Sequence, residues 1–198
     1  TSIAYYNNAP IIQYIITAFM FIAGANFVLT YFALKGKIYK VFKSEEFKYY
    51  FFGVIAFTIA LTVIILNFRD PNLITSIEHP EPWGKVESAF RHASFQVVSV
   101  LTTTGFVSAD FTMWSSIGTI LMFSLFFIGG SAGSTSGGVK IVRHIIIIKN
   151  SFLEFKKVLH PNAIIPVRYD GVGIQQNIVF NILSFFVLYM GIFIVSSI

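Results

Sequence analysis

Ser88-Ala-Phe-Arg-His-Ala-Ser-Phe-Gln-Val-Val-Ser-Val-Leu101, followed at once by Thr102-Thr-Thr-Gly-Phe106, is the stretch on which the fold turns. It is moderately apolar, yet its first 14 residues reach only about 21 Å as a helix, short of roughly 30 Å of hydrocarbon. It also carries Arg91 and His92. The sequence around it is different. No Asp, Glu, Lys or Arg occurs in 1–34, 49–68, 111–139 or 171–198. Each run is long enough to span, which predicts transmembrane helices at about 10–34, 49–68, 114–139 and 173–198. Pro10 suits the first turn of the first of these.

The composition agrees. Hydrophobic residues make up 55% of the 198 residues and charged residues 12%, against about 25% charged in a soluble domain. The mean hydropathy is +0.73. The 23 Phe suit a lipid-facing or tightly packed helical surface, and the lack of Cys excludes a disulfide-stapled fold. A net charge of +5 would suggest nucleic acid only if the basic residues lined one exposed face. Instead, eleven of the fourteen fall in two connections: Lys35, Lys37, Lys40, Lys43 and Lys48, then Lys140, Arg143, Lys149, Lys156, Lys157 and Arg168. The region 69–110 holds Arg69, Lys85 and Arg91 against Asp70, Glu78, Glu81, Glu87 and Asp110. The positive-inside rule turns the two basic connections to the cytoplasm and the acidic one outward. Membrane lipid is therefore the expected surrounding, with no nucleic-acid partner. The chain opens on Thr1 without a signal-peptide pattern and stops inside an apolar run, so it reads as part of a longer protein.

This orientation creates a parity problem. If 88–101 crossed the membrane, the span at 114–139 would deliver Lys140 to Lys157 to the outside. A re-entrant helix that dips in from outside, with Thr102 to Phe106 as its returning strand, removes the conflict. Non-helical backbone at that depth needs a polar cavity or protein to meet its polar groups. The carbonyl end of the short helix favours a cation, and an extended strand can offer successive carbonyls in place of an ion's water shell. The uncharged side chains of Thr102, Thr103 and Thr104 leave selectivity to the backbone, with Gly105 supplying freedom. TTTGF echoes the TVGYG filter of potassium channels. The competing reading is an ordinary outer turn.

The third span has its own interruption, Gly129-Gly-Ser-Ala-Gly-Ser-Thr-Ser-Gly-Gly138. Its five glycines cost about 4–5 kcal/mol of helix propensity relative to alanine. A helix broken at membrane depth, its loop lining the same cavity, is expected. A phosphate-binding loop fails because Gly138 is followed by Val139, and Lys140 by Ile141. A glycine-packed helix contact is the alternative.

The run Phe127-Ile-Gly-Gly-Ser-Ala-Gly-Ser-Thr-Ser-Gly-Gly-Val-Lys-Ile-Val-Arg143 resembles the FIGGCAGSTGGGLKVIR-type segment of Trk-type potassium uptake proteins, of the Trk/Ktr/HKT superfamily. TTTGF sits where that family has a filter strand, His160-Pro-Asn-Ala163 matches a further family segment, and Gly24-Ala-Asn26 with its following Glu-Phe fits too. Ser131 and Ser136 depart from members carrying Cys and Gly. The resemblance implies an all-α polytopic membrane protein of four repeats around an ion pore, each an outer helix, a re-entrant pore helix and an inner helix. On that pattern 1–48 holds the inner helix of the second repeat and its cytoplasmic connection, 49–148 a complete repeat with a broken inner helix, and 149–198 a connection and the first helix of the fourth. The resemblance implies K⁺ as transported ion, with no covalent cofactor. Its ligands would be the carbonyls of Thr103, Thr104 and Gly105, with Thr102 and Phe106 beside them. The gate would be the loop Gly129, Gly130, Ser131, Ala132, Gly133, Ser134, Thr135, Ser136, Gly137 and Gly138. A homodimer, a cytosolic nucleotide-binding regulatory subunit and a bacterial inner-membrane location are further implications.

The remaining residues carry less. His79, His92, His144 and His160 lie apart without the clustering a metal needs, and no segment holds a catalytic arrangement. Lys140, Arg143 and His144 share a helical face, for interfacial anchoring or for electrostatic control below the gate. Glu45 and Glu46 read as a solvated connection, and Asn26 as a polar group bonded to a neighbouring helix. A non-conducting membrane scaffold that docks a partner is the rival to ion uptake.

Overall fold

The computed structural model describes residues 2–68, 81–159 and 165–196. Arg69, Asp70, Glu78, His79 and the segment His160 to Ala163 lie outside them. The described elements are α1 (Pro10–Gly24), α2 (Phe27–Leu34), α3 (Ile38–Lys43), α4 (Glu45–Phe68), α5 (Lys85–Leu101), α6 (Ser116–Leu125), α7 (Ile141–Leu159), the strands β1 (Arg168–Tyr169) and β2 (Val172–Gly173), and α8 (Gln176–Ser196). Pro10 opens α1. The Ser115 hydroxyl accepts the Gly118 N–H at 3.0 Å and caps α6.

Among the described residues, Glu45–Asn67 and Gln176–Ser196 are long and apolar enough to cross a membrane, as is the bent pair α1 and α2 if counted as one span. Two expected spans differ from prediction. The run 10–34 bends by 114° between α1 and α2. There the Asn26 side chain accepts the Val28 N–H at 2.9 Å and starts a new helix. The run 114–139 is helical only to Leu125, and helix resumes at Ile141 after the glycines. The break is where the sequence predicts one, but the helix before it is ten residues, about 15 Å. The hairpin β1–β2 is an unpredicted element, with Asp170 and Gly171 at φ 47° and 81° in its two-residue turn.

The centre of the molecule is α5. Its 17 residues, about 26 Å, are buried along most of their length against α1, α4 and α6. Phe95, Val97, Leu101, Tyr50, Leu61, Trp114, Met122 and Leu125 form the core around it. Its polar face is buried too, which requires partners. Arg91, 1% exposed, pairs with Glu87 at 2.9 Å and donates to Gln13 Oε1 and to the Asn7 carbonyl. After α5 the chain runs back along it. Ser99 Oγ donates to the Phe106 carbonyl at 2.6 Å, Gln96 Nε2 to the Ala109 carbonyl at 2.6 Å, and His92 Nδ1 lies 3.1 Å from Ser108 Oγ. Segment 106–109 therefore climbs back toward the helix's start, as a re-entrant pair requires.

Candidate ion pathway

The carboxyl end of α5 closes in a turn that takes up carbonyls of its last helical residues. The Thr103 N–H bonds the Val100 carbonyl and the Thr104 N–H the Ser99 carbonyl, both at 3.0 Å. The left-handed position of such a turn is usually glycine; here it is Thr103, at φ 53°. For a β-branched residue that conformation costs about 1–2 kcal/mol. Its hydroxyl offsets part of this cost by accepting the Gly137 N–H at 2.7 Å. The expected strand is thus shorter than predicted. Thr102 and Thr103 complete the helix turn, and the return begins at Thr104. Gly105 takes a second left-handed conformation, at φ 75°.

All three threonine hydroxyls are occupied within the protein. Thr102 Oγ1 donates to the Val98 carbonyl at 2.7 Å and lies 2.7 Å from Thr104 Oγ1. Thr103, Thr104 and Gly105 are exposed, Phe106 is half-buried and Thr102 is buried. What this turn offers to an ion is backbone.

The glycine-rich loop lies against it. The Gly129 N–H bonds the Val139 carbonyl at 2.8 Å and the Ile141 N–H the Gly130 carbonyl at 3.2 Å, pinching the loop at its neck. No Cβ fits on Gly129, which is pressed against the backbone of Gly137 to Val139. Inside the neck, Ser136 Oγ accepts the Gly130 N–H at 2.9 Å. The loop's outer residues fill the bend between α1 and α2. The Ser131 N–H bonds the Gly24 carbonyl at 2.9 Å, Thr135 Oγ1 the Ala23 carbonyl at 3.3 Å, and the Phe27 N–H the Gly133 carbonyl at 3.4 Å. The bend supplies free carbonyls that a continuous helix would have consumed. Gly24 also lets α1 touch the end of α5, since a Cβ there would collide with Thr102 and sit 2.6 Å from Tyr50 Oη. Tyr50 Oη donates to the Phe21 carbonyl at 2.9 Å.

Charged residues act differently from expectation. Lys140 does not share a helical face, because it precedes α7; it folds back and donates to the Ser136 carbonyl, with Ser134 O at 3.4 Å. Arg143 is drawn elsewhere, its guanidinium 3.8 Å from the Phe185 ring centre. Glu46 is the clearest correction. It is not solvated but 3% exposed, and accepts the Ala132 N–H and, at 3.3 Å, the Asn26 amide. Beside it the Asp170 carboxylate caps the Glu45 N–H at 2.7 Å and Glu45 pairs with Lys149. Burial, then the charges of Glu46, Asp170 and Glu45, push the Tyr169 phenol above its ordinary range.

A short buried helix with a segment running back along it, apolar helices packed outside it and a helix broken by glycines beside its tip define a polytopic helical membrane protein. The chain belongs to the TrkH family of cation transport proteins, whose family model, described as TrkH: Cation transport protein, matches residues 1–198. The Trk system potassium uptake protein TrkH of Escherichia coli (strain K12) is 32% identical over 196 residues, 98% of this chain and 38% of that protein. The protein of the same name from Salmonella typhimurium is 32% identical over 192 residues, 96% of this chain and 37% of that one. The crystal structure of the potassium transporter TrkH from Vibrio parahaemolyticus matches with a TM-score of 0.82 at 29% identity, covering 98% of this chain and 39% of that one. These relatives are named as potassium transporters, not as enzymes. The chain spans about 38% of the length of the curated relatives it matches.

Proposed function

We propose that this chain contributes to a potassium uptake pore one filter segment and the intramembrane loop beside it. The carbonyls of Thr103, Thr104 and Gly105, with Thr102 and Phe106 flanking them, coordinate K⁺, and Gly129 to Gly138 gate its passage. Residues 49–148 form one complete repeat, 1–48 the end of the preceding one and 149–198 the start of the next. Lys140 sets the electrostatics of the loop, and Arg143 steadies the helix that follows it. The whole protein is a multi-pass protein of a bacterial inner membrane. It works as a homodimer with a cytosolic nucleotide-binding regulatory subunit.

One observation carries this reading: Gly137 of the loop donates to Thr103 at the tip of the re-entrant helix, so the two segments meet at one point. Filter and gate must adjoin in this way for one pathway to run past both. The hydroxyl bonds of the three threonines add support, since they leave the backbone as ligand. Gly105 tests it. No heavy atom lies within 4 Å of a Cβ built there, so Gly105→Ser is resisted by backbone strain and not by crowding. In the full-length transporter, Gly105→Ser should weaken discrimination between K⁺ and Na⁺ while flux persists. Unchanged preference at normal expression and flux would remove this segment from the filter.

A further inference from the structure

We propose that Glu46, at the cytoplasmic start of α4, is the positioning residue that holds the glycine-rich loop in its closed arrangement. The proposal rests on that loop being the gate. A carboxylate as buried as Glu46 is tolerated only where donors surround it. It has two described donors, one from the loop and one from the bend into which the loop packs. One is the Ala132 N–H, in the loop. The other is the Asn26 amide, at the bend between α1 and α2 into which the loop packs. When the loop leaves, Glu46 loses the first donor, so this bond exists in one arrangement only and biases the loop toward it. Lys140 supplies the opposite charge from within the same segment, on the Ser134 and Ser136 carbonyls. The loop, which has no helix of its own, is thus held by a carboxylate at one shoulder and an ammonium at the other.

The position of Glu46 also joins the loop to the cytoplasmic surface. The helix turn that carries it is capped by Asp170 in the hairpin between α7 and α8, and its neighbour Glu45 is paired with Lys149 of α7. A load on that hairpin acts on the first turn of α4 and so on the catch.

The test uses the full-length transporter in vesicles, with passive K⁺ and Na⁺ flux as readouts. Loss of the charge assistance on that bond predicts about a tenfold rise in K⁺ flux for Glu46→Gln, and loss of the bond itself a larger one for Glu46→Ala, with K⁺ over Na⁺ preference unchanged. Glu46→Asp, which keeps the charge, should fall between Glu46→Gln and the wild type. In a cysteine-free background, a short reversible thiol cross-linker across the pair Glu46→Cys and Ala132→Cys should restore low flux, and reduction should release it. A merely structural role predicts lower expression and lower flux in every variant, with no rescue by the cross-link. Folded Glu46→Gln protein with wild-type flux overturns the proposal. If the loop deletion Ser131 to Ser136 still raises flux in that case, the gate reading stands without the catch. A deletion that leaves flux unchanged removes the gate reading itself, and the catch with it.

Discussion

At the scale of single residues, Thr103 concentrates the conflict between local preference and assembly. Its left-handed backbone favours glycine, yet glycine would have no side chain to receive the Gly137 N–H that the Thr103 hydroxyl accepts. The two demands separate on substitution. Thr103→Ser keeps the acceptor and removes the β-branch, so melting temperature and leak should match wild type or improve on it. Thr103→Val keeps the shape and loses the acceptor. It should weaken the hold on the loop by about 1 kcal/mol, roughly a fivefold change in a two-state equilibrium. Passive flux through the two variants checks this, and equal flux would make the bond incidental. Threonine at 103, and not glycine, is a residue choice that helix-end statistics oppose and the contact with the loop explains.

At the scale of elements, the decisive feature is that segment 106–109 runs back along α5 toward its start. Single cysteines replacing Glu81 and Asp110 should both react with an impermeant thiol reagent added outside, and one replacing Lys156 should not. Labelling of positions 81 and 110 from opposite sides would mean that α5 crosses. This element, and the break at 129–138, were legible because each violates a local requirement of a span. One is too short, and the other is too rich in glycine. The bend at Ala25 and Asn26 was not legible. It lies in an uninterrupted apolar run, and the groups that satisfy its free carbonyls come from residues 131–135, more than a hundred positions away. The burial of Glu46 is hidden for the same reason, since among lysines it looks solvated and its donor at Ala132 is 86 residues distant. The hairpin differs, because Asp170-Gly171 is itself a local turn signal.

For the whole molecule, the described helices share one organisation: α5 at the centre, α1, α4 and α6 packed on it, and the loop wedged between its tip and the bend of α1 and α2. α8 buries little of its surface within this chain, with Phe185, Val187, Leu188, Ile192 and Ile194 exposed. That is the surface expected of a helix facing lipid or further transmembrane segments. In the function proposed above, the loop obstructs a pathway whose selectivity is set at Thr103 to Gly105. The bonds between Gly129 and Val139 and between Gly130 and Ile141 hold the neck independently of the loop's tip. Removing Ser131 to Ser136 spares the partners of both bonds while taking out the loop's tip. The direct measurement is passive K⁺ and Na⁺ flux in vesicles reconstituted with the full-length deletion variant. Flux higher than wild type at an unchanged K⁺ over Na⁺ preference is expected. Folded protein with flux no higher than wild type would contradict it.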